Sequence, residues 1–167
     1  MSNHIDHLSP LEKELVRLSP LYVSALIAGA DGDFSSDEKQ RTFELVHIKT
    51  YSEKFGLKDL YTSLEASVEE DLRKLIAQLP EVQADRNSFL VAKIADLNPV
   101  LKKIEFAYSH RLYKSLKEFA QVLQKQTTGR IKQSVEGIGK SAISSALAPL
   151  PGPLQASMYS MLTTNPF

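Results

Sequence analysis

Four carboxylates, those of Asp31, Asp33, Asp37 and Glu38, fall within eight residues, with the hydroxyls of Ser35 and Ser36 among them and Gly32 at their centre. Such hard oxygen ligands, aimed inward by a tight turn, are what calcium or magnesium requires. The chain has no cysteine, so disulfides, thiolate zinc sites and cysteine nucleophiles are excluded and any metal needs oxygen or histidine ligands. Against the second half of an EF-hand loop, Asp31, Gly32, Asp33, Phe34, Ser35 and Glu38 fall in fitting positions. Ile27 and Gly29 occupy the places of the first ligands, which rules out a complete EF-hand. The same residues also suit a turn between two helices without an ion. Gly32 would end the first helix, Ser35 would cap the second, Glu38 would return a bond to that cap, and Asp37 would face the positive end of the helix dipole.

Other chemistry-bearing residues are sparse. His4 and His7 form a short H-x-x-H ahead of the first helix signal, and His47 sits between Phe43 and Tyr51 at helical spacing, the setting of a partly buried histidine. Lys103, His110, Lys114 and Lys117, with Arg111 alongside, share one face of a long amphipathic helix. This reads as a solvated face, or as a patch for an acidic protein. Nucleic acid is not expected, because no recognition motif accompanies the bases. Phosphate loops, nucleophile elbows and zinc-protease motifs are absent from the sequence, so an enzyme is not expected.

The elements that must position these residues are helical. Ser9-Pro10-Leu11-Glu12 offers a capping box with proline in the first turn, and Ser19-Pro20 is expected to end or kink that helix before an all-apolar run from Leu21 to Ala30. Ser35 to Glu38 repeats the capping box, after which Leu45, Ile48, Tyr51 and Phe55 are expected as the buried stripe and Gly56 as the stop. Two short helices follow, from Leu57 to Ala66 and from Ser67 to Leu79, then one from Glu81 to Leu97. The longest is expected after Asn98-Pro99, with Leu101, Ile104, Tyr108, Leu112, Leu116, Phe119 and Leu123 on its buried face, ending at Thr127-Thr128-Gly129. No alternation of period two competes. The expected fold is all-α, a single compact bundle of about six to eight helices, with a mobile N-terminus over 1–8, the helical domain over 9–129, and a C-terminal helix and uncharged proline-containing tail over 130–167.

The 167 residues balance at a net charge of zero, but unevenly. Through Asn98 seventeen acids face eleven bases, and from Pro99 onward nine bases face three acids. The asymmetry is expected to be neutralised within the fold; otherwise it can steer partners or drive head-to-tail association, and a protein partner or self-association is expected. The uncharged tail, anchored through Met158, Tyr159 and Leu162, would lie on the bundle or dock a partner. No apolar run is long enough to cross a bilayer, membrane-surface association is weakly supported because the tail lacks Lys and Arg, and the cytoplasm is the expected location.

The segment Ala25-Leu26-Ile27-Ala28-Gly29-Ala30-Asp31-Gly32, followed by Glu38 and a long amphipathic helix, resembles the TerB-like family, related to tellurite-resistance protein B. The likeness extends over about Leu11 to Gly129. It implies an all-α domain that binds a divalent cation (Ca, Mg or Mn) at a helix-Ala-Asp-Gly-turn-Glu-helix unit, with Asp31 and Glu38 as the ligand pair and a role in stress response or tellurite resistance. The second acidic motif of that family has only a degenerate counterpart in Ala95-Asp96-Leu97-Asn98, with Lys103 where a glutamate would fall. Missing oxygens would then come from Glu69, Glu70, Asp71 or Asp85. The expected function is a non-catalytic, metal-binding interaction module; the alternative is an α-helical scaffold or assembly subunit whose acidic turn is only a cap.

Overall fold

Two capping boxes and one buried proline set the first half of the fold. The computed structural model describes residues 4–28, 34–54 and 56–131, the last six through their backbone alone. Helix α1 (Pro10–Ala28) opens as its sequence requires: the Ser9 amide donates to the Glu12 carboxylate at 2.9 Å and the Glu12 amide to the Ser9 hydroxyl at 3.3 Å. Of the expected end or kink at Ser19-Pro20, the end does not occur: the helix runs through. Proline lacks the amide that the Val16 carbonyl would receive, and the buried Ser19 hydroxyl donates to that carbonyl instead, at 2.7 Å. Every residue from Ser19 to Ala28 is buried, so α1 is the central element of the core.

Six further helices follow among the described residues: α2 (Ser36–Ser52), α3 (Leu57–Glu65), α4 (Val68–Gln78), α5 (Gln83–Ala95), α6 (Leu97–Leu101) and α7 (Phe106–Ile131). No strand occurs among the described residues, and the fold is all-α. Helix α1 packs chiefly against α7 and α5, while α2 packs against α3. The core joins Leu21, Leu26 and Ile27 of α1 to Tyr61 and Leu64 of α3 and Leu112 and Phe119 of α7. Gly56, at φ 88°, turns the chain into α3 in a conformation that a side chain would disfavour.

Two expectations need correction. The stripe from Leu101 to Leu123 is buried at Ile104, Tyr108, Leu112, Leu116, Phe119 and Leu123, but it does not lie on one helix. Leu101 closes α6 and Ile104 sits in the following turn, while α7 continues past Gly129 to Ile131. On α2 only Leu45 of the expected stripe is inside; Ile48 is 57% exposed and Tyr51 72% exposed, and Phe55 lies outside the described residues. The inward face of α2 is instead Thr42, Leu45, Val46, Lys49 and Thr50. Residues 4–8 lie against the turn between α6 and α7: Leu8 is buried, His7 Nε2 is 2.7 Å from the Lys103 carbonyl, and His4 stacks on Tyr108. Residues 132–167, with most of the expected C-terminal helix and tail, lie outside the described residues.

Candidate functional site

The carboxylate turn resolves into a cap where it is described. Ser35 is the N-cap of α2; its hydroxyl accepts from the Glu38 amide at 3.3 Å, and its own amide donates to Glu38 Oε2 at 2.7 Å. Glu38 therefore does the work of a capping box, and Asp37 lies beside it in the first turn, where the helix dipole favours negative charge. Consecutive helical residues project about 100° apart, so these two carboxylates do not by themselves converge on one ion. Asp31 and Asp33 lie outside the described residues. No group of three or more histidine, aspartate or glutamate side chains able to hold a metal occurs among the described residues.

Two of the four acids considered as auxiliary ligands, Asp71 and Glu70, have other partners. Asp71 accepts from Arg17 and Ser67, each at 2.6 Å, and Arg17 also grips Glu14. Burial opposes the Asp71 charge, but the hydrogen bonds from Arg17 and Ser67 outweigh it and hold the carboxyl below its ordinary pKa. This link fixes the start of α4 against α1. Glu70 is bridged by Arg73 at 2.6 Å and by Lys74 at 3.4 Å, which lowers its pKa in that order of effect. His4 and His7 go to separate partners, the Glu105 carboxylate and the Lys103 carbonyl, and form no joint site.

An open groove of ≈ 650 Å³ separates the outer face of α2 from the α3–α4 junction. Phe43 and Val68 supply apolar walls, and Glu44, Glu65, Glu69 and Glu70 surround them. His47 bonds the Glu65 carboxylate through Nδ1 across the groove and meets the Tyr51 ring edge-on at 4.8 Å. Its side chain is 60% exposed, more open than the partly buried histidine expected. Gln40 donates to Glu44 at 3.2 Å, but no described lysine, arginine or histidine pairs with Glu44 or Glu69. Glu44, His47, Ile48 and Tyr51 recur at steps of three and four, so the exposed apolar pair shares the face of α2 on which the groove opens. In the sequence Glu69 and Glu70 stood out only as acids at the start of a helix and as auxiliary metal ligands; the signal for the groove was the apolar Phe43 and Val68 among acids on two separate helices.

A half-buried network holds α2 in place behind this surface. Lys49 Nζ donates to Glu53 at 2.9 Å and to Glu118 at 2.8 Å, the Ser115 hydroxyl donates to Glu53 at 2.6 Å, and the Tyr61 hydroxyl meets Ser115 at 3.0 Å. Burial pushes the Tyr61 phenol well above its ordinary pKa, so it stays neutral and available for this bond. Helices α2, α3 and α7 are thus joined through polar groups at one level of the core.

The basic face of α7 is on the outside, with His110, Arg111 and Lys114 exposed and Lys117 partly so. Phe106, 81% exposed, stacks on His110 at 5.8 Å. Lys103 is not part of this face: it precedes the helix and pairs with Glu12. No described acid pairs with Lys114 or Lys117. No described helix is long and apolar enough to cross a membrane. No family model, curated protein or solved structure matches the chain.

Proposed function

We propose that this chain is a non-catalytic helical interaction module, of the TerB-like kind that its sequence resembles, and that its docking surface is the acidic groove between α2 and the α3–α4 junction. The partner is a protein segment that presents lysine or arginine beside an apolar residue. One observation carries the reading: Glu44 and Glu69 flank the apolar walls of Phe43 and Val68 with no cation paired to them. A lysine entering there gains two carboxylates while its aliphatic stem covers the walls. The capping box at Ser35 and Glu38 supports the acidic turn as a device that starts α2, which forms one side of the groove.

The test is titration of a synthetic lysine- and leucine-containing amphipathic helical peptide into the full chain, followed by fluorescence anisotropy. Binding to the wild type that weakens about tenfold or more in the Glu44→Lys/Glu69→Lys variant supports the groove. Equal affinity for both proteins, with both folded by circular dichroism, overturns it. Binding should also weaken with salt, since these charges are exposed and the screening length falls to about 8 Å at physiological ionic strength.

A further inference from the structure

We propose that the segment received by the groove is the basic face of α7 from a second copy of this chain, which makes the protein a head-to-tail self-associating unit; this rests on the groove reading above. The charges left over on the two surfaces match. Glu44 and Glu69 carry no ion pair with a described base, and Lys114 and Lys117 carry none with a described acid, whereas Lys49, Arg17 and Lys103 are already paired. Lys114 and Lys117 are three residues apart on α7, with His110 one turn before, so the three share a face about 10 Å long. Phe106, stacked on His110, places an exposed ring at the end of that face, and the exposed Ile48 and Tyr51 share the α2 face on which the groove opens. Each surface therefore joins charge to an apolar neighbour.

Within one molecule the two surfaces do not meet. Lys114 and Lys117 lie on the outward side of α7, whose inward side packs on α1, α2 and α3, and the groove is lined by residues of α2, α4 and the α3–α4 junction, none of them from α7. The complement for each comes from another molecule. A net charge of zero removes the repulsion that would otherwise keep copies apart, while the acidic surplus before Pro99 and the basic surplus after it orient their approach. Because groove and helix face differ, the contact is heterologous. A copy that uses its groove still presents its own α7, so assembly runs on into a ring or an open chain.

Sedimentation velocity on the full chain tests this at low and high salt across a concentration series. The expected result is concentration-dependent association at low salt that dissolves at high salt. Glu44→Lys/Glu69→Lys and Lys114→Glu/Lys117→Glu are each expected to be folded and monomeric. Mixed together they are expected to associate again, because each reversed surface finds its reversed counterpart on the other variant. A wild type that stays monomeric at low salt overturns the proposal, as does association that survives either reversal or a mixture that stays monomeric. The groove reading fails separately: if the wild type is monomeric yet still binds the cationic helical peptide through Glu44 and Glu69, the groove stands and only its occupant is wrong.

Discussion

Replacing Ser19 by alanine should cost more than a small polar-to-apolar change in a helix suggests, and Pro20 is the reason. Proline at position 20 leaves the Val16 carbonyl without its helical donor, and the Ser19 hydroxyl fills that role at 2.7 Å. Val16, Ser19 and Pro20 are all buried, so water cannot replace the lost donor. Leaving such an acceptor unsatisfied costs about 1–3 kcal/mol. For a chain of this size each kcal/mol is worth about 2–4 °C, so a loss of ~2 kcal/mol lowers Tm by about 4–8 °C. The control is the Pro20→Ala background, where residue 20 regains an amide that can reach Val16. There the Ser19→Ala change should cost less than about 0.5 kcal/mol, giving a coupling of roughly 1–2 kcal/mol between neighbouring positions. Urea unfolding followed by circular dichroism measures all four proteins, with the midpoint moving and the slope constant. Equal cost of Ser19→Ala in both backgrounds would refute the compensation.

Further outcomes follow from the polar ties and the cap. Lys49→Met should destabilise by about 3 kcal/mol, since it removes the cation that Glu53 and Glu118 share, whereas Glu118→Gln, at the exposed end, should cost under about 1 kcal/mol by the same urea assay. Glu12 is held down to about 2, first by Lys103 and then by Ser9. Its carboxylate therefore contributes stability above its ordinary value of 4.5, and that contribution is lost as pH falls from there towards 2; Glu12→Gln should flatten the acid limb of a pH–Tm curve over that window. Ser35→Ala should cost about 1 kcal/mol through the lost cap. Calcium, magnesium or manganese should leave the wild-type Tm unchanged if the acidic turn only caps α2, and a rise abolished by Asp31→Ala would show instead that the turn holds a cation.

Local rules made much of the fold legible. Ser9 with Glu12 and Ser35 with Glu38 announce two helix starts in four residues each, and both boxes form. Pro20 did not end its helix because a neighbouring hydroxyl supplied the missing donor, a contact that a proline-based rule does not anticipate. On α2, hydropathy pointed the wrong way. Thr42 and Lys49 face inward because distant residues satisfy them, Ser24 hydrogen-bonding Thr42 at 2.6 Å and Glu118 receiving Lys49, and this turned Ile48 and Tyr51 outward. The groove was hidden for a related reason: its walls come from α2 and from the α3–α4 junction, and only the packing of α2 on α3 brings Glu44 and Glu69 to one opening.

The enclosure of α1 bears on how the chain is made. Leu21 to Ala28 form its most apolar stretch, yet they are wrapped by α5 and α7, and the ties from His7 and Glu12 to Lys103 span 96 and 91 residues. At a synthesis rate of roughly 5–20 residues per second, this segment leaves the ribosome several seconds or more before its covering helices exist. Nascent chains halted before α7 would keep that surface bare, and such fragments are natural clients for chaperones and proteases.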